Sequence, residues 1–523
     1  MAIARSLYGV ARALTEEIFM PSLPRSAWYD LTRDMNWKLS YVTEEEVWPE
    51  QLSNGYGLPN DAWWTWDEPY KVTYPEYVHV QQGKDAGVYA VNAVLGRSKM
   101  FEQLDPGWKS AILAHYGAIS VAEYTAGMGE SRMGRFGRAA AWRNMATFGT
   151  LDETRHGQIQ TYFPYGLLAQ EPRADWAHKA YHTNEWGAIA ARSLFDDMFA
   201  ANDAVSTAIQ LTFTFETGFT NLQFLGMAAD AMKVGDVDFG SLISSIQTDE
   251  ARHSQQGEPT IKLLVEHGRK DVAQKLVDHM FWRSWRVFAL LTGPSMDYYT
   301  PLEQRTHSFK EFMQEFICKQ FLDQFRDFGL ERPWYWDEHF LPDLDWYHHA
   351  IHLGLYYWRP TLWWNPDAAV SPEERDWLEQ KYPGWNANFG RHWDVIGANA
   401  RAGKIEATLP ETLPILCNMC HIPVVSSAGF NAGKLASPLP RHLDRNGRRY
   451  TFCSVPCQWI FEESPERFQG HMNLIDRFLA GQIQPPNLEG ALAYMGLSPE
   501  EAGQDATNYA WAFAERPAAM VNA

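Results

Sequence analysis

The sequence predicts a mainly α chain: a helical bundle followed by a small, partly β, cysteine-rich module near the C-terminus. Three observations carry that prediction. Between about residues 105 and 268 the chain has long segments with apolar residues at three- and four-residue spacing and few prolines. Inside that region one short motif, Glu-x-x-His, occurs twice in nearly the same context. Near Ala407 the pattern changes to shorter, Pro- and Gly-marked stretches holding two close cysteine pairs.

Taken in order, the chain divides into an N-terminal extension (1–20), a helical domain (21–406), a small four-cysteine module (407–475) and a C-terminal tail (476–523). The first twenty residues set Arg5, Arg12, Glu16 and Glu17 around an apolar stripe. They lack the long uncharged run of a secretory signal, so a cytoplasmic protein is expected. Helices are predicted over Trp108–Gly129, Arg138–Phe163, Asp203–Met232, Phe239–His267, Asp271–Leu291 and Ser308–Gly329. A strand is predicted over Arg449–Phe452. Clusters such as Trp63, Trp64 and Trp66, or Trp358, Trp363 and Trp364, read as core or subunit interface.

Composition narrows the function. At 523 residues and 46% hydrophobic content the chain can bury a large core. A formal net charge of -19 argues against nucleic acid as the main partner and against an anionic membrane surface. No apolar run approaches the roughly 20 residues that span a bilayer. Five cysteines are too few for a disulfide framework at this length. Arg132, Arg135, Arg138 and Arg143 form a basic stretch, read as a solvated helix face paired with local acids. His348, His349 and His352 lack an evident third ligand and read as surface or interface histidines.

The chemistry lies in the duplication. Asp152-Glu153-Thr154-Arg155-His156 and Asp249-Glu250-Ala251-Arg252-His253 read almost alike. On a helix, residues three apart share a face, so each carboxylate and imidazole point at one spot. Glu123 precedes the first motif by thirty residues and Glu216 the second by thirty-four, spacings that suit a helix, a turn and a return helix. Four antiparallel helices would converge four Glu and two His in one core, the arrangement of ferritin-like, ribonucleotide-reductase-like metal carboxylate proteins. Four carboxylates balance two divalent cations, and one imidazole per metal in an oxygen-rich set suits iron or manganese better than zinc. Asp152 and Asp249 are expected to accept hydrogen bonds from the imidazoles and fix their tautomers. A lone Glu-x-x-His arises by chance about once in a chain of this size, and Asp345-x-x-His348 is such a decoy. Two matched copies are a different matter.

These residues resemble the oxygenase α subunits of bacterial multicomponent diiron monooxygenases, in the toluene and alkene (including isoprene) branch. The resemblance runs from about Trp28-Tyr29-Asp30-Leu31-Thr32 nearly to the C-terminus. Its landmarks are Asp67-Glu68-Pro69-Tyr70, Asn144 to Gly149, Phe215 to Asn221 and Ser245 to Glu250. It implies two iron ions that activate O2 and insert one oxygen atom into a small apolar arene or alkene. It also implies a hydroxyl beside the oxygen site at Thr220, and polar residues tied to effector binding and access at Asn221 and Gln247. The implied partners are β and γ subunits in a dimer of heterotrimers, a small effector protein, and a Rieske ferredoxin fed by an NADH reductase. No flavin or NAD signature stands on this chain, and Gly127-x-Gly129 follows a helix, unlike a dinucleotide fingerprint.

Ile119, Ala122 and Ala126 share a helical face with Glu123, and with Phe195, Leu211, Phe215 and Phe224 they are expected to wall an apolar substrate pocket. Ala122 stands where toluene 4-monooxygenase-like members have Gly, which narrows the site. Cys417-x-x-Cys420 and Cys453-x-x-x-Cys457, thirty-two residues apart, read as a structural zinc site. Phenol hydroxylase relatives carry such a site, and toluene 4-monooxygenase-like chains have lost it. Two rival readings use the same bundle. A ribonucleotide-reductase-like subunit would place a radical Tyr four residues after the first His, where Gln160 stands. A non-catalytic iron-storage protein would be far shorter and would lack the pocket and the cysteine module.

Overall fold

The computed structural model describes residues 35–171, 174, 179–357, 371–402, 415–425, 440–485, 490 and 493–494, together with 24, 26–27 and 30–31. The N-terminal extension, Trp358, Trp363 and Trp364, the boundary near Ala407 and most of the C-terminal tail therefore lie outside the described residues.

Four long helices form the centre. α1 spans Tyr74–Leu95 and begins at a Thr73–Glu76 capping box with Pro75 in its first turn. α2 (Pro106–Phe136) starts where the Asp105 carboxylate accepts the Gly107 and Trp108 amides. α3 (Ala140–Leu167) returns along α2 after a short connection. α4 (Trp186–Phe195) runs into a π-helical turn, Asp196–Ala200. α5 is continuous through Ala204–Thr207, Ala208–Thr220 and Asn221–Lys233, and its middle part is π-helical. Gly235, at φ +83°, makes the turn into α6 (Val237–His253), which Asp236 caps through the Phe239 amide.

α2 packs along α3 and α5 along α6, with α3 also against α6 and α1 laid over α6. Close approach of α2 and α3 is written in glycine: a Cβ on Gly149 would sit 2.5 Å from the Glu130 carboxylate, and one on Gly127 3.2 Å from Glu153 Cβ. α7 (Lys270–Pro294) covers the π segment of α5 on its other side, and α8 (Tyr347–Tyr357) covers α7.

The predicted helices appear with shifted ends. The expected Phe239–His267 helix is interrupted by a 3₁₀ turn at Ser254–Gln256. The predicted strand is one arm of a hairpin, β1 (Arg441–Arg445) with β2 (Arg448–Phe452), followed by α9 (Val455–Glu463). Trp63 and Trp66 are buried and stack on Trp142, each 5.8 Å away. No described helix is long and apolar enough to cross a membrane.

Two sequence readings are corrected. The basic stretch binds backbone carbonyls in place of acids: Arg132 to Ala200, Arg135 to Val47, Arg138 to Ser53 and Arg143 to Gly137. Its arginines bind chain segments against α2 and α3. The three histidines of α8 are fully buried. His348 pairs with Asp297 at 2.8 Å, His349 Nδ1 lies 2.6 Å from Tyr298 Oη, and burial holds His349 and His352 well below the usual imidazole range. Asp297 also accepts from Tyr382 and from the Phe309 amide, so a polar network satisfies it.

Candidate diiron site

α2 supplies Glu123, α3 supplies Glu153 and His156, α5 supplies Glu216, and α6 supplies Glu250 and His253. All six are buried. Donor atoms of Glu153, His156, Glu250 and His253 lie within 4.8 Å of one another. His156 Nδ1 is 3.2 Å from Glu250 and 3.7 Å from Glu153, while His253 is 3.2 Å from Glu216 and 3.4 Å from Glu153. Both oxygens of Glu153, one each of Glu216 and Glu250, and one nitrogen of each histidine are buried without a hydrogen-bond partner. Polar atoms so placed are costly unless a cation completes them. The electrostatics agree. Burial and the neighbouring Glu250 and Glu123 raise Glu153 well above the usual carboxylate range, and burial lifts Glu250 to about 7. The donor set fits two divalent cations and balances their charge.

The aspartates before each Glu differ in what they hold. Asp249 Oδ2 is 3.3 Å from His156 Nε2, and it also takes Lys84 at 2.5 Å, Arg155 at 3.1 Å and Gln81 at 2.7 Å. Against the upward push of burial, His156, Lys84 and Arg252 hold Asp249 well below the usual carboxylate range. Asp152, expected to hold an imidazole, instead accepts from Arg252, Tyr77 Oη at 3.0 Å and Gln81 Nε2 at 2.8 Å. The reason is geometric: the ring nitrogens of His253 both face carboxylates of the site and of Glu130.

α1 was missed by sequence reasoning, yet Tyr77, Gln81 and Lys84 lie on one of its faces and meet both aspartates. Their four- and three-residue spacing was the available signal. Glu130 was also missed. It is fully buried, seven residues after Glu123, and both its oxygens accept from Gln256 at 2.8 Å.

Beside the carboxylates lies a cavity of about 20 Å³, lined by Ile119, Ala122, Ala126, Phe195, Leu211, Phe215 and Phe224, with Glu123, Glu216, Glu250 and Thr220 at its polar edge. Phe199, not anticipated, completes the wall: its ring is 5.4 Å from Phe195 and 5.2 Å from Phe215. The π-helical winding keeps Thr220 on the cavity side with Glu216, its hydroxyl 3.4 Å from the Glu216 carbonyl. Asn221 and Gln247, both half-buried, join α5 to α6 through a 2.7 Å hydrogen bond.

In the C-terminal module, Cys417, Cys420, Cys453 and Cys457 are buried, unpaired by disulfides, with sulfurs within 4.8 Å of one another. The first two lie in a loop closed by a Leu416–Pro423 bridge, Cys453 follows β2, and Cys457 sits in the first turn of α9. Trp282 of α7 donates to Cys457 at 3.2 Å. Arg286, stacked on Trp282 and Tyr347, stands beside the sulfurs as a buried cation. Cys318 is buried alone.

Comparison with known proteins fits this geometry. Residues 37–268 match the family described as Methane/Phenol/Alkene Hydroxylase, and residues 437–472 match the YHS domain. The oxygenase component subunit alpha of the alkene monooxygenase system of Xanthobacter autotrophicus Py2 is 48% identical over 94% of this chain and 98% of its own length. This chain is an oxygenase α subunit of the multicomponent diiron monooxygenase family. The oxygenase component DmpN of phenol 2-monooxygenase from Pseudomonas sp. CF600 is 29% identical, covering 84% of this chain and 83% of the relative. Xenon-pressurised phenol hydroxylase from Pseudomonas sp. OX1 has the same fold, with a TM-score of 0.78 at 25% identity over 92% of this chain and 96% of that one. The family is one of monooxygenases that work as components of larger systems, and the chain carries its catalytic part.

Proposed function

We propose that Glu123, Glu153, His156, Glu216, Glu250 and His253 bind two iron ions, and that the chain inserts one atom of O2 into a small apolar alkene or arene. The observation that carries this is the set of orphaned buried carboxylate and imidazole atoms, beside an apolar cavity edged by Glu123, Glu216 and Glu250. Bound iron would supply the electrons and Lewis acidity that O2 activation needs. The chain's own groups do the rest. Ala122, Ala126 and the phenylalanines exclude water and hold an apolar substrate, and the Thr220 hydroxyl offers a proton donor and acceptor at the cavity edge. Asp249 orients His156. The apolar lining, polar only at its carboxylate and Thr220 edge, suits a small apolar substrate, alkene or arene.

The cysteines of the 407–475 module hold a structural zinc ion, and Arg286 offsets the negative charge such a tetrathiolate carries. The resemblance implies that Asn221 and Gln247, hydrogen-bonded to each other, respond to effector binding and tune access. Electrons come from NADH through a separate reductase and a Rieske ferredoxin, and β and γ subunits complete a dimer of heterotrimers, as the resemblance implies. A single-turnover assay of the reduced complex with propene, isoprene, benzene, toluene and phenol tests the reading. Epoxide from the small alkenes is expected, and no oxygenated product from any of the five would refute it.

A further inference from the structure

Gln160 follows His156 by four residues on α3, so its side chain enters the same bundle core. Its Nε2 donates to Glu123 Oε1 at 2.7 Å, and its Oε1 lies 2.6 Å from His115 Nε2, eight residues before Glu123 on α2. All three side chains are buried. An amide oxygen can only accept, so His115 Nε2 carries the proton and Nδ1 is left with the lone pair. That Nδ1 is buried with no polar partner, and the ring packs edge-on against Phe224, Phe239 and Tyr116. Burial keeps the imidazole neutral at ordinary pH by lowering its pKa to about 4.

The polarity of this chain has one self-consistent direction. Turned over, the Gln160 amide would set its oxygen against the Glu123 carboxylate, acceptor to acceptor. Free in solution an amide turns over easily, and here the His115 N–H holds its oxygen. The imidazole therefore selects which end of the amide Glu123 meets, and thereby occupies one lone-pair direction of Glu123 Oε1. Glu123 also walls the substrate cavity, so its orientation bears on both metal and substrate.

We propose that His115 is a positioning residue of the diiron site, acting through the Gln160 amide to fix how the Glu123 carboxylate is presented to the metals. This rests on Glu123 being an iron ligand, which iron content tests separately.

The decisive pair is H115Q and H115N in the full complex. A glutamine at this position places an amide N–H where His115 Nε2 stands, whereas an asparagine falls short of it. Near-infrared circular dichroism of the reduced iron site, iron per chain, and kcat and KM are measured. H115Q is expected to match the wild-type spectrum. H115N is expected to keep its iron, shift the ferrous bands, and lose roughly tenfold in kcat with KM unchanged. Q160L should give the same spectral shift, and H115N should add nothing on that background. A wild-type spectrum in H115N, or an effect that persists in the Q160L background, overturns the proposal. Failure of both His115 variants to fold would make the residue a packing element and overturn it too. Wild-type protein that binds no iron would instead refute the ligand assignment of Glu123.

Discussion

The two copies of the metal motif share residue types but differ in their surroundings. In the first copy the imidazole of His156 reaches outward to Asp249, which is bound in turn by Lys84, Arg155 and Gln81. In the second, His253 turns both nitrogens toward carboxylates, and Asp152 serves Tyr77, Gln81 and Arg252. The asymmetry follows from packing: α1 lies over α6 and delivers Lys84 to only one of the two aspartates. A repeated motif therefore brings the same residue types to each half of the site, while the unrepeated helix beside it gives the two halves different partners.

The largest effect that can break this comparison is at Glu153, which lies within 3.7 Å of both imidazoles. E153A is expected to lower iron affinity by more than the roughly 10–100-fold typical of an outer partner. Iron analysis after gel filtration checks it, and a variant that kept full iron with wild-type spectra would end the ligand assignment. Next comes the four-cysteine module. C453S should abolish zinc binding and allow chelators to unfold the module, while iron content stays at the wild-type level. Parallel loss of iron would show that the two centres are not independent.

The comparison is sharpened most by D249N against D152N. The first should weaken iron retention by about tenfold to a hundredfold, and the second by less, because Asp152 contacts no ring nitrogen. Equal losses in chelator competition would show that the two halves are held alike. The smallest effect is a pH control on the fold. Burial, with Lys275 and Arg283, lowers His279 to about 3 from the ordinary 6.5. A depressed histidine contributes stability that is full above its unfolded pKa and is lost as the pH falls toward 3. Between pH 7 and 5 this amounts to about 2 kcal/mol, and H279Q should flatten that part of the urea-midpoint profile.

How much could be read in advance depended on whether a residue's role was local. The convergence of the six proposed ligands was legible because coordination would demand particular side chains and a helix fixes their spacing. The cavity wall was legible for the same reason, since Ile119, Ala122 and Ala126 share a face with Glu123. Phe199 escaped because it sits in a π-helical turn, whose wider winding arises from packing and leaves no periodic mark. The α8 histidines were misplaced on the surface because their partners Asp297 and Tyr298 lie about fifty residues away. Tyr77, Gln81 and Lys84 look like any polar helix face until the two aspartates are brought beneath them.

The arginines inside the repeats have one more consequence. Arg155, from the first copy, pairs with Asp249 of the second, and Arg252, from the second, pairs with Asp152 of the first. Gln81 of α1 ties both aspartates with one amide. Each repeat thus lends its cation to the other, and Arg252 also reaches the aspartate of its own copy at 3.2 Å. Split into two separately expressed fragments, the first would keep Glu123, Glu130, Asp152 and Glu153 and the second Glu216, Asp249 and Glu250, each without the other's arginine. The duplication is reciprocal: each copy supplies the cation that the other copy's aspartate accepts.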